Sequence, residues 1–92
     1  MIEQIEAIIL SFGYEKRQYG YVRDNPKGTS QGITVWDKNP DEDWFTVDMF
    51  GWPSGSDEDY KLYTTGHIGL STVGELAVLL SVFDQYKNID WI

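Results

Sequence analysis

The sequence predicts an α+β fold, a two-layer sandwich in the order α-β-β-β-β-α, with two helices covering one face of a four-stranded antiparallel meander. Three observations predict it. Near the amino terminus, apolar residues recur at three- and four-residue steps. Between residues 14 and 65, four segments rich in β-branched and aromatic residues are separated by Gly, Pro, Asn and Asp. Beyond them, Thr72-Val73-Gly74-Glu75 opens a second apolar stretch with a capping-box pattern.

Residues 2–12 place Ile2, Ile5, Ile8, Ile9 and Phe12 on one helical stripe, with Glu3 and Glu6 near the positive end of the helix dipole. Gly13 is a natural stop, since glycine takes a positive φ without a Cβ clash. Residues 14–24 read as the first strand, with Gly20 marking a bulge. Residues 25–32 read as a loop and residues 33–38 as the second strand. Residues 44–50 alternate cleanly: Phe45, Val47 and Met49 point one way, and Trp44, Thr46, Asp48 and Phe50 the other. A Gly/Pro/Ser loop is expected over residues 51–59, a fourth strand over 60–65, and a tight connection at Gly66-His67-Ile68-Gly69. The second helix is expected to run to about Tyr86. Its apolar residues wrap most of its circumference, which predicts the most buried element of the fold. The terminal Trp91-Ile92 pair is expected to dock on the core.

At 92 residues the chain is expected to form a single domain with one core. It has no cysteine, which excludes disulfide scaffolds, Cys-ligated zinc and thiol catalysis, and points to the cytoplasm. The opening residues lack the basic and apolar regions of a signal peptide, and no apolar run is long enough to span a membrane. The net charge of −8 is concentrated. Residues 1–35 balance four acids with four bases, whereas residues 36–60 hold eight acids against Lys38 alone. Such a field repels phosphate backbones and attracts basic surfaces.

No motif specifies a reaction. His67 is the only histidine, and no nucleophile-elbow pattern surrounds Ser54, Ser56 or Ser71. Gly66-His67-Ile68-Gly69 has the spacing of a KH-domain clamp but lacks basic neighbours, so a turn explains it better. Lys27-Gly28-Thr29-Ser30 has phosphate-loop letters in the wrong order. The runs Asp41-Glu42-Asp43 and Asp57-Glu58-Asp59 lack the alternate spacing of calcium loops. Neither catalysis, cofactor nor metal is therefore expected. The helix-strands-helix order is similar to that of double-stranded RNA-binding domains. That family opens its last helix with a basic cluster, where this chain has Thr72-Val73-Gly74-Glu75, so direct nucleic-acid binding is not expected.

The aromatic residues of the acidic segment carry the functional expectation. If Phe45, Val47 and Met49 face the helices, Trp36, Trp44 and Phe50 face outward with carboxylates around them, as in binding hot spots. The expected function is a non-catalytic interaction module that docks on a basic surface of a partner protein. Its expected contact residues are Trp36, Asp41, Glu42, Asp43, Trp44, Asp48, Phe50, Trp52, Asp57, Glu58 and Asp59. The basic surfaces of cells are commonly nucleic-acid-binding grooves. In size, acidity and lack of catalytic motifs, though in no motif, the chain resembles small phage or mobile-element inhibitors of the anti-restriction and anti-CRISPR kind. That resemblance implies a DNA mimic. A self-associating structural or immunity-type domain is the first alternative, and a small enzyme using carboxylates or His67 the second.

Overall fold

The computed structural model describes residues 2–18, 20–26, 28–36, 44–57 and 61–88. Helix α1 (Ile2–Ser11) precedes five strands, β1 (Glu15–Arg17), β2 (Gly20–Arg23), β3 (Thr29–Trp36), β4 (Phe45–Pro53) and β5 (Tyr63–Leu70). Helix α2 (Val73–Asp84) follows and passes into a 3-10 turn, Gln85–Asn88. The strands form one antiparallel sheet in the order β1-β2-β3-β4-β5. The α+β class and the meander expected from sequence are both present.

The sheet has five strands rather than four, because residues 14–24 fold into a hairpin. Gln18 lies in its turn, and Arg17 pairs with Gly20. Gly20 is not a bulge. It sits so close to β3 that a Cβ there would stand 2.5 Å from the Ile33 carbonyl oxygen. The only residue without a Cβ is what lets β2 close against β3 at this point.

Three other boundaries move. β3 begins at Thr29 rather than at residue 33, and its first residues are buried although polar. Hydrogen bonds permit this: Asn25 donates its side-chain amide to the Thr29 carbonyl and its backbone N–H to Ser30 Oγ at 3.2 Å. β4 continues past Gly51 to Pro53, which pairs with Thr29. The expected connection at Gly66-His67-Ile68-Gly69 lies inside β5. Gly66, at φ +68°, absorbs a register shift opposite Asp48 and Phe50. The hydroxyls of Thr64 and Thr65 bond the Gly66 backbone, and Met49 N–H donates to Thr65 Oγ1 at 3.0 Å. A glycine-containing bulge thus keeps a strand going where composition suggested a turn.

The core lies between the sheet and the helices. Ile5 and Ile9 of α1 and Leu76, Leu80 and Phe83 of α2 pack on Ile33, Val35, Phe45, Val47 and Met49. The capping box at Thr72 forms as expected, with Glu75 N–H donating to Thr72 Oγ1 at 3.1 Å and Thr72 N–H donating to Glu75 Oε1 at 2.9 Å. α2 is not the most buried element. Only its Leu76–Leu80–Phe83 stripe is buried, while Val78 and Val82 are exposed, because the helix lies over the sheet with nothing described on its other side. The central strands β3 and β4 take that place. Residues 89–92, with Trp91 and Ile92, lie outside the described residues.

Within the covered layer sits a polar knot. The Arg23 guanidinium, 11% exposed, donates to Asp84 Oδ1 at 2.6 Å, to the Phe12 carbonyl at 2.8 Å and to Gln31 Oε1, and stacks on Tyr14. Gln31 Nε2 donates to the Phe83 carbonyl at 2.9 Å and to Tyr63 Oη at 3.2 Å. The knot ties β2, β3 and β5 to the end of α2, where an unpaired Asp84 would oppose the helix dipole.

Candidate functional site

Strand parity sets the side chains of the uncovered face. With Ile33 and Val35 turned to the helices, Gly32, Thr34 and Trp36 of β3 turn away from them. The same alternation on β4 sends Thr46, Asp48, Phe50 and Trp52 to the open side. On β5, His67 stands directly opposite Asp48.

One end of this face is aromatic and accessible. Trp36 is 46% and Trp44 45% exposed, values far above those of the core. Trp36 reaches diagonally across Thr46, so that its ring centroid lies 5.7 Å from that of His67. Gly69, opposite Thr46, leaves open space on β5. Asp48 accepts a hydrogen bond from Thr64 Oγ1 at 2.9 Å, which fixes the carboxylate on the surface.

The middle of the face is concave. A hollow of about 520 Å³ runs between β1, β2 and β3, with Gly20, Val22 and Thr34 among its lining residues and Phe50 and Arg17 at its sides. The Phe50 ring lies over Gly32, where a Cβ would come within 2.5 Å of it. Lys61 Nζ stands 5.0 Å from the Phe50 centroid. The bases at the β1 side are already matched, since Arg17 pairs with Glu15 at 3.4 Å and Asp24 at 3.2 Å.

Of the residues expected from sequence to make contact, the structure brings Trp36, Asp48 and Phe50 to the open face, and Trp44 is exposed immediately before β4. Trp52 stacks on Phe50 at 5.8 Å on the same side, but it is only 4% exposed and presents little surface. Asp57 is exposed and follows β4. Asp41, Glu42, Asp43, Glu58 and Asp59 lie outside the described residues. Their flanks are nevertheless placed. Trp36 and Trp44 flank the first run at the start of β4, whereas Asp57 follows the far end of β4 and Lys61 lies back beside the strand, where Leu62 N–H donates to the Gly51 carbonyl at 2.8 Å. Sequence reasoning missed His67 as a neighbour of Trp36. A longer β5 was the signal required, and the glycines on both sides of His67 concealed it.

Ser54 and Ser56 lie beyond the end of β4 distal to Trp44, whereas His67 pairs near its middle. Among the described residues, no three His, Asp or Glu side chains are grouped to hold a metal ion. Nor, among them, is any helix long and apolar enough to cross a membrane. No protein-family model matches the chain, and no curated protein or solved structure matches it.

Proposed function

We propose that the chain is a non-catalytic interaction module that docks the Trp36–Trp44 end of its open sheet face onto a basic surface of a partner protein. One observation carries the reading. Two indoles, each nearly half exposed, flank a segment in which Asp37, Asp41, Glu42 and Asp43 stand against Lys38 alone. Carboxylates draw a cationic partner in, and aromatic rings supply contact that persists after salt has screened the attraction. Asp48, held by Thr64, adds a fixed negative charge on the same face.

In its specific form, the partner surface is a nucleic-acid-binding groove and the acidic segments stand in for phosphates.

Capture of partners by the tagged protein at about 50 mM and about 500 mM salt tests the reading. Proteins with basic surfaces are expected at low salt, with much weaker recovery at high salt. A Trp36→Ala/Trp44→Ala double variant is expected to lose them at both. Recovery of only acidic partners, or capture unaffected by both salt and the double substitution, overturns the proposal.

A further inference from the structure

The two edges of the sheet are built in opposite ways. β1 is a three-residue edge, Glu15-Lys16-Arg17, with every side chain charged and exposed. Short length and charged side chains are the usual means of keeping a sheet edge from pairing with another chain. β5, at the other edge, is eight residues long and carries no Asp, Glu, Lys or Arg. Among the described residues, nothing pairs with its outer side.

Beside that edge lies an apolar hollow of about 520 Å³. Its sides are Leu62 just before the strand, Tyr63 and Thr65 on it, and Leu79, Val82 and Tyr86 on the helical side. Val78, Val82 and Tyr86 stand at four-residue steps and are 66%, 48% and 47% exposed, which gives α2 and its 3-10 extension an outward apolar stripe. The only charged residues of α2 are Glu75, engaged in the capping box, and Asp84, bonded inward to Arg23. Among the described side chains, edge and stripe together form an uncharged surface on a molecule of net charge −8.

We propose that this surface takes a second copy of the same chain, with β5 pairing antiparallel to β5 of the copy and the α2 stripes meeting beside it. Antiparallel self-pairing is the arrangement a two-fold axis generates, and it extends the five-stranded sheet to ten strands without a new type of contact. The absence of charge selects this occupant. A partner attracted by the carboxylates is directed to the acidic segments, whereas two like-charged copies approach with least repulsion where neither carries charge. The bulge at Gly66 leaves two segments for contact: His67–Leu70 for ladder hydrogen bonds, and Leu62–Thr65 over the hollow.

The sign of the salt effect separates this proposal from docking on a basic partner. Screening weakens attraction between opposite charges but relieves repulsion between two chains of charge −8. Sedimentation velocity of the intact chain, from micromolar to high micromolar concentration and from about 50 mM to about 500 mM salt, is the experiment. A dimer that tightens with salt is expected. Val78→Glu and Val82→Glu, at exposed positions, are each expected to weaken it about tenfold or more. Hydrogen exchange on the unsubstituted chain supplies a readout that needs no variant: β5 amides should gain protection as concentration rises. A monomer under every condition overturns the proposal. So does a dimer that survives both glutamates but is lost in Trp36→Ala/Trp44→Ala, because its interface is then the open face.

Discussion

The two faces of the sheet are drawn from the same strands, residue by residue, yet they are built for different ends. Toward the helices, β3 and β4 send Ile33, Val35, Phe45, Val47 and Met49, all at most 9% exposed. The main polar insertion among them is the Arg23–Gln31–Asp84 knot, whose groups bond one another. Toward the open side, the same strands send Thr34, Trp36, Thr46, Asp48 and Phe50, a mixture of rings, hydroxyls and one carboxylate. The covered face holds the fold together, and the open face contributes surface. Substitutions on the first should therefore appear in stability, and those at exposed positions of the second, under the proposed docking, in binding.

The largest expected effect tests the covered face directly. Leu80→Ala and Phe45→Ala each remove a side chain that is 1% exposed, and each should cost about 3–5 kcal/mol, from lost burial plus the cavity left behind. Denaturant unfolding measures this. A cost below about 1 kcal/mol would mean that α2 does not seal that face.

The polar knot ranks next. Asp84→Ala leaves the Arg23 guanidinium largely buried without its carboxylate, and the expected loss is about 1–3 kcal/mol. The figure is below that of a fully buried pair because Asp84 is 34% exposed and partly screened by water. Asp84→Asn, which keeps an acceptor for Arg23, should recover part of the loss. Equal losses in the two variants would show that the carboxylate's charge matters and its hydrogen bond does not.

Alkaline pH sharpens the contrast, because three tyrosines belong to the covered side. Burial raises Tyr14 well above its ordinary value, against the lowering effect of Arg23. Burial first, and then a hydrogen bond to Glu6, push Tyr21 up to about 12. Burial also raises Tyr63, despite its bond from Gln31. A group whose folded pKa is raised holds its proton more tightly in the native state. Its stabilising contribution is complete below the unfolded value of 10.0 and is lost as pH rises through the folded value. Stability should therefore be level up to about pH 10 and fall from there to about pH 12. Urea midpoints taken across that range, with Tyr21→Phe as the comparison, measure the effect. The phenylalanine variant should show a shallower decline.

How much of this contrast was legible in the sequence depends on where alternation was unbroken. Residues 44–50 alternate without interruption, so the orientation of Phe45, Val47 and Met49 against Thr46 and Asp48 could be read directly. The Thr72–Glu75 capping box was equally local, since all its partners lie within four residues. The β1–β2 hairpin was not legible. Glu15-Lys16-Arg17 offers no apolar alternation, and the fit of Gly20 against the Ile33 carbonyl is a contact between distant parts of the chain. β5 was cut short because Gly66 and Gly69 read as punctuation, although hydroxyls from Thr64 and Thr65 support the strand across the bulge.

The smallest expected change in stability is also the one that bears most on function. Two indoles share the open side of β3 and β4 and a third, Trp44, precedes β4, but they differ in burial: Trp52 is 4% exposed, against 46% for Trp36 and 45% for Trp44. Trp52 is stacked on Phe50 and behaves as a core residue, so Trp52→Ala should destabilise by about 3 kcal/mol or more. Trp36→Ala and Trp44→Ala should each cost about 1 kcal/mol or less, since most of what they lose is already exposed to water. Partner capture should rank the three in the reverse order, with Trp36 and Trp44 essential and Trp52 affecting binding only through the folded fraction. Measuring both quantities on the same three variants separates a ring that holds the sheet together from a ring held out for contact. Should Trp36→Ala prove as destabilising as Trp52→Ala, its indole is packed in solution, and the open face loses its claim to be the docking surface.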